Sequence, residues 1–473
     1  MLGLFGTLNL AGQSMETQMT GVSVTGQNLA NVNTPGYTRQ TVDIQTSPDI
    51  TTGIGPQGTG AEAVSIQQAV DALLNGQIQG QQSVNGYWNA QQTGLQTVQD
   101  QLNEFLSSTG NSSSTTGSTN SSGISTLLSN FFNDFQSVAT SPTSIAARQT
   151  LISDARTLAS AFNQTSAGLA QQNALLNTSL GNDVDSANQL LSGIASLNQQ
   201  ISAAEFGGGN ANDLLDEQRQ DLNNLAQLAD VTTTTGTNGA VNVSIDGQAL
   251  VSGSQVLDTL QTYDPGSGNL LVQTATGGVS LTLTGGSMQG TIDARDGALA
   301  SLQNSVNTFA SSLITQVNSI YSGGYDLTGA TGANFFTGSD AGSIAVNTAL
   351  INDPSSFQAS GSATSSGDNT VALELAELAD SPQSNLQNET FGDSFDQTVG
   401  DFGHALQTAN NQVSNQTAVM NMLTNQQASV SGVSLDQEMT NLLSFQQAYE
   451  ASAELVTTIN QMMGDTLSMK SGA

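Results

Sequence analysis

His404 is the only histidine in this 473-residue chain, and there is no cysteine. A general base needs a nucleophile and an orienting carboxylate, and a zinc site needs further His or Cys ligands. His404 has no such company beside Gly403 in a helix-patterned stretch, so it reads as an ordinary helix residue. Asp213, Asp216, Glu217 and Asp221 could pair carboxylates for acid–base work. With Arg219 among them at helical spacing, they read instead as a solvated helix face. Asp264-Pro265-Gly266-Ser267-Gly268-Asn269 carries oxygen ligands without calcium-loop spacing and reads as a turn. No GxxxxGK[ST] phosphate loop exists, because the single lysine is Lys470. Tyr37 and Trp88 read as packing residues. The expectation is therefore no catalytic set, no metal, no cofactor and no enzyme.

Six Lys and Arg stand against 38 Asp and Glu, a formal net charge of -32. The basic residues are Arg39, Arg148, Arg156, Arg219, Arg295 and Lys470, too scattered for the cationic footprint that binds nucleic acid or anionic lipid. Only 9% of residues are charged, so most of the polar surface is expected to be Asn, Gln, Ser, Thr and Gly. No stretch approaches ~18 uninterrupted apolar residues, and no membrane span is expected. The opening MLGLFGTLNLAG lacks a basic n-region and is not expected to be a secretory signal. Absence of cysteine suits a cytosolic protein and equally one exported as an unfolded chain.

Helical periodicity dominates. Leu4, Leu8, Ala11, Met15, Val22 and Leu29 share one stripe, predicting a helix of roughly 40 Å that ends near Ala30. Thr34-Pro35-Gly36-Tyr37 reads as a type II turn, Pro setting φ and Gly accepting positive φ. A Gly-rich loop at 51–60 precedes a second predicted helix carrying Ile66, Val70, Leu73, Val84, Tyr87, Val98, Leu102 and Phe105, with glycines that argue against its continuity. Residues 107–123 read as a low-complexity linker or exposed loop. Long helices follow at Leu151 to Ile201, closed by Gly207-Gly208-Gly209, and at Leu214 to Leu228. The period then changes to two: Val241, Val243 and Ile245 alternate before an Asp246-Gly247 hairpin, and Val279, Leu281 and Leu283 alternate again. Helical pattern returns at Leu299 to Ile320 and Phe395 to Leu423. A last helix follows Ser434-Leu435-Asp436-Gln437, which reads as a capping box.

The expected fold is mainly α with a small β-rich insert: a long helical bundle or coiled-coil body, paired N- and C-terminal helices, and an outer β domain. The expected division is 1–33 with 434–473 as a terminal helical domain, 34–230 with 293–433 as the helical body, and 231–292 as the insert. The heptad-like stripes at the two ends have no evident partner except each other or neighbouring copies.

The segment ANVNTPGYTRQ (residues 30–40) resembles the turn after the N-terminal helix of flagellar axial proteins, the rod, hook and hook-associated components. SLDQEMTNLLSFQQAYEASAELVTTINQMM (434–463) resembles their C-terminal helix. Within that group, GAEAVSIQQAVDALLNGQIQ (60–79), DLLDEQRQDLNNLAQLADV (213–231), GAVNVSIDGQALVSG (239–253), GYDLTGATGANFF (324–336) and SGDNTVALELAEL (366–378) are similar to the hook-associated protein 1 family in kind and order. Two departures stand out: Gln67 and Gln68 occupy positions where the family often carries basic residues, and the insert is short enough that a further outermost domain is expected to be absent.

The resemblance implies a structural, polymerising protein at the hook–filament junction that templates filament assembly. Its assembly interface would comprise Leu4, Leu8, Met15, Val22, Leu29, Asn31, Asn33, Pro35, Gly36 and Tyr37. On the C-terminal helix it would comprise Leu435, Met439, Leu442, Phe445, Tyr449, Val456, Met463 and Leu467, the stripe also offered to a cytoplasmic export chaperone. Implied partners are copies of itself, hook protein, a second junction protein and the filament, with no nucleic acid or membrane. The implied location is the extracellular flagellum, after transit through the flagellar export apparatus from the cytoplasm. Two alternatives stay open on the sequence: another axial component of rod or hook, and a secreted adhesin or glycan-degrading enzyme using Asp246, Asp258 or Asp264 of the insert.

Overall fold

The computed structural model describes residues 3–52, 55–106, 123–207 and 209–471. Apart from Gly123, the expected linker at 107–123 lies outside these residues, as does Gly208. The chain opens with α1 (Leu4–Ala30), followed by β1 (Gln40–Thr46), β2 (Ile50–Thr52), β3 (Gly55–Gln57) and β4 (Ala61–Gln68). Helices α2 (Ala72–Leu106), α3 (Ile124–Thr140), α4 (Ile145–Phe206) and α5 (Asn212–Leu228) come next. Then β5 (Val231–Thr235), β6 (Val241–Ile245), β7 (Gln248–Ser252) and β8 (Gln255–Val256) form a four-stranded antiparallel meander, and β9 (Leu260–Tyr263) pairs with β10 (Leu271–Thr274). Helix α6 (Gly286–Asp293) passes through a π-helical turn, Ala294–Leu299, into α7 (Ala300–Tyr321). Strands β11 (Phe336–Thr337) and β12 (Ala345–Val346) and helices α8 (Thr348–Asn352) and α9 (Thr370–Glu377) lead to α10 (Phe391–Ser431) and α11 (Leu435–Ser471).

Helix α4 has 62 residues, about 93 Å at 1.5 Å per residue, too long for one core. Its first half, from Leu151 to Leu176, joins α3, α7, α9 and α10 around a phenylalanine-rich core that includes Phe131, Phe135, Phe162, Phe309 and Phe391. Its second half, Leu180 to Ile194, packs on α5, α6 and the inner face of the meander through Val243, Ile245, Leu250 and Met288. Polar side chains fix the sheet to that helix. Asn198, fully buried, donates to the carbonyls of Val241 (2.8 Å) and Gly253 (2.6 Å) and accepts from the Val241 N–H. Asn188 makes the same reciprocal pair with Leu260, and Asn177 accepts from Leu270 N–H. Arg295, in the π-helical turn and fully buried, donates to Asn177 and to the Leu270 carbonyl and chelates Asp296.

Three sequence expectations are corrected. Ile66 is on a strand: β1 and β4 pair antiparallel along their length, and α2 begins only at Ala72. Asp71 accepts from the N–H groups of Leu73 and Leu74 and starts the helix. Glycines do not interrupt α2. Gly86 sits so close to α5 that a Cβ there would lie 2.0 Å from the Gln227 carbonyl oxygen. The alternation Val279, Leu281, Leu283 yields one β-bridge, Ser280 to Gln273, rather than a strand, although Leu281 and Leu283 are buried.

Candidate assembly interface

Helices α1 and α11 pack antiparallel. The hydroxyls of Ser14 and Ser452 are 2.9 Å apart, and Gly21 lies under the Phe445 ring, where a Cβ would come within 2.7 Å. At the turn end, Asn28 donates to Glu438 Oε2 at 3.0 Å. On another side of α1, Thr17 donates to the Ala61 carbonyl of β4, so the hairpin braces the helix.

The turn after α1 joins this pair to the body. Gly36 has φ +80°, and the Tyr37 N–H donates to the Thr34 carbonyl at 3.2 Å, as the type II turn requires. Asn28 is buried with all its amide capacity used. Nδ2 donates to the Gln40 carbonyl (2.7 Å) as well as to Glu438, and Oδ1 accepts from Tyr37 Oη and the Gln40 N–H, each at 2.9 Å. Burial, and then the nearby Asp213, Asp216 and Glu438, pushes the Tyr37 hydroxyl up to about 12, so it remains a donor at every pH a folded protein meets. Arg39 donates through its backbone to Ser431 at the end of α10 and through Nη1 to Gln437. Its Nε lies 3.5 Å from Glu438 Oε1, an ion pair rather than a hydrogen bond. Thr38 gives both its N–H (2.9 Å) and its hydroxyl (2.6 Å) to the Asp216 carboxylate of α5. Arg219 bridges Asp216, Thr38 and Gln68 of β4. Four consecutive residues, 37–40, therefore bind α1, the hairpin, α5 and α11 together.

The expected interface residues are divided by the structure. Leu4, Leu8, Met15, Val22 and Leu29 are half-buried on α1; Asn31 and Tyr37 are half-buried and Asn33, Pro35 and Gly36 exposed at the turn. On α11, Leu442, Phe445, Tyr449, Val456 and Met463 are half-buried, whereas Leu435, Met439 and Leu467 are exposed. The expected stripe is therefore not one face. A second apolar row, Leu455, Met462 and Met469, repeats every seven residues and is exposed. The sequence reading also missed Asn28, Thr38, Gln68, Asp216, Arg219 and Glu438. The available signal was a carboxylate, Glu438, placed seven residues before Phe445 on an otherwise apolar or small seam.

The acidic group on α5 is also corrected. Asp216 is buried in an ion pair with Arg219 at 2.7 Å, while Asp213 and Glu217 are exposed. His404 is exposed on α10. In the insert, backbone N–H groups of Thr276, Gly277 and Thr259 hold Asp258 down to about 2, Gly266 and Gly268 hold Asp264 below the usual carboxylate range, and Asp246 accepts from Thr282. These carboxylates organise turns. Among the described residues no helix is long and apolar enough to cross a membrane, and no group of three metal-ligating side chains occurs.

A family model described as the helical domain of flagellar hook-associated protein FlgK matches residues 111–336, and one for the C-terminal region of the flagellar basal body rod FlgEFG proteins matches 425–469. Flagellar hook-associated protein 1 of Bacillus subtilis is 26% identical, with 98% of each chain covered. The proteins of that name from Salmonella typhimurium and Escherichia coli are 26% and 24% identical over 98% of this chain and 99% of theirs. The solved flagellar hook junction protein FlgK from Burkholderia pseudomallei superimposes with a TM-score of 0.63 at 18% identity, over 75% of this chain and all of that one, a likeness of fold.

Proposed function

We propose that this chain, similar over nearly its full length to flagellar hook-associated protein 1 and matched by the FlgK helical-domain model over residues 111–336, forms the junction between hook and filament at the distal end of the hook. It polymerises through α1 and α11 and offers the surface on which filament growth starts, without catalysis. The proposed division assigns 1–33 with 434–473 to the inner tube, 34–230 with 293–433 to the body, and 231–292 to the outward face. Copies of the chain, hook protein, a second junction protein and the filament are its proposed partners. Before export from the cytoplasm, the α11 stripe is covered by a chaperone.

The observation that carries this reading is the apolar surface left on the terminal pair. Leu455, Met462 and Met469 on α11, with Phe5 and Met19 on α1, stay exposed although the two helices are packed together. A lone subunit cannot cover such rows, and a ring or tube of copies can.

Deletion of the gene in its motile host is the test. Naked hooks with flagellin shed into the medium support the junction role. Cells without hooks would move the protein to the rod or hook, and intact filaments would remove the proposal.

A further inference from the structure

Three close contacts between α1 and α11 share one spacing. Asn28 meets Glu438, Gly21 meets Phe445, and Ser14 meets Ser452, so each step is seven residues along both helices in opposite directions. One further step brings Thr7 level with Ile459, which is buried. A seven-residue repeat is the spacing at which two helices can slip and still meet seam to seam. Here the layers are chemically unlike: a buried carboxylate with an amide, a ring with a glycine, a hydroxyl with a hydroxyl.

We propose that these layers are a register lock, which lets α11 fold back onto α1 in one alignment only. A slip of one heptad in one direction sets Glu438 against Gly21, with no donor, and Phe445 against Ser14. The opposite slip drives Phe445 onto Asn28, which holds the Tyr37 and Gln40 bonds, and carries Glu438 beyond the helix end. Either slip separates Glu438 from Asn28 and Arg39 and separates Phe445 from the one position without a side chain in its way. Buried polar residues fix register in helix pairs by this penalty on every alternative. The half-buried apolar residues, repeated at Leu442, Tyr449, Val456 and Met463, supply adhesion but cannot tell one heptad from the next. The lock belongs to the single chain and does not depend on the assembly role proposed above.

The chain has no cysteine, which makes the test direct. Ser14→Cys with Ser452→Cys reports the native alignment; Thr7→Cys with Ser452→Cys, and Ser14→Cys with Ile459→Cys, report the two slips. Under mild oxidation of the full chain, the native pair is expected to form an intrachain disulfide about tenfold faster than either slipped pair. Adding Glu438→Ala and Phe445→Leu should reduce that preference to about twofold or less. Should the double change stop all three pairs from linking, Phe445→Leu alone, which keeps the Asn28–Glu438 layer, is expected to show an intermediate preference. Equal linking of all pairs in the otherwise unaltered chain, or an unchanged preference in the altered ones, overturns the lock. A disulfide between chains in the native pair, seen as doubled mass on a non-reducing gel, overturns it as an intrachain device.

Discussion

Asp134 on α3 and Asp154 on α4 face one another, two like charges on helices packed together. Burial, then the neighbouring Asp154 carboxylate, pushes the Asp134 carboxyl up to about 6 from 3.8. A folded-state value raised above the unfolded one favours folding below about 3.8, and that contribution is lost as pH rises through about 6. Asp134→Asn gives Asp154 an amide donor at any pH. The variant is expected to be more stable than the parent at pH 7.5 by about 1 kcal/mol, a figure discounted because the residue is only half-buried. Near pH 4 that advantage should vanish, and urea unfolding at the two values checks it; an equal difference at both would deny that Asp134 titrates above the usual carboxylate range. The sequence does not reveal such a pair, because twenty residues and a turn separate its members. Asn28 with Glu438 illustrates the same limit across the whole chain: each is an ordinary polar residue until the other is placed beside it.

The helices were legible because their apolar positions recur with the helical period and their cores are large, from Leu151 to Ile201 above all. The β1–β4 hairpin was not, because its outward residues include Ile44 and Val64, both exposed, so no clean alternation announces it. Glycine in α2 misled for a steric reason. As a propensity, Gly in a helix interior costs about 1 kcal/mol against Ala; as a contact, Gly86 lets α2 lie on the backbone of α5. Two substitutions on the one helix separate these effects. Gly86→Ala must push the helices apart and should cost about 2–3 kcal/mol, whereas at Gly80 no atom lies within 4 Å of the new Cβ and Ala should be neutral or stabilising by up to about 1 kcal/mol. Thermal unfolding followed by circular dichroism reads both, and a stable Gly86→Ala protein would refute the close approach. Asparagine was likewise read as belonging to the solvated surface, although Asn177, Asn188 and Asn198 on α4 bind backbone groups of the β-rich insert. Asn198→Ala takes away the side-chain partner of the Val241 and Gly253 groups and one of the two acceptors of Gln218. It should cost about 3 kcal/mol and loosen the meander first, seen as faster amide exchange at Val241 than in α7.

The whole molecule carries a formal charge of -32, yet α1 contains one ionisable side chain, Glu16, in 27 residues. The charge therefore resides mostly on the body, while the surface proposed to meet other copies is close to neutral on one helix and apolar at Leu455, Met462 and Met469 of the other. Two forces of different range then act on association. Repulsion between bodies extends over a Debye length, about 30 Å at 10 mM salt and about 3 Å at 1 M, whereas apolar burial acts only at contact. At low salt the long-range term opposes encounter before the apolar rows can touch; at high salt it is screened and burial, strengthened rather than weakened, decides. The purified chain is expected to be monomeric at 10 mM NaCl and to self-associate progressively towards 1 M, followed by sedimentation velocity. Leu455→Asp with Met462→Asp places charge in the exposed row without touching the seam that carries Phe445 and Ser452. That double variant should remain monomeric at 1 M while its melting curve matches the parent's. Association that ignored salt would mean the body's charge does not face its neighbours, and association that survived the two aspartates would mean the row is not where copies meet.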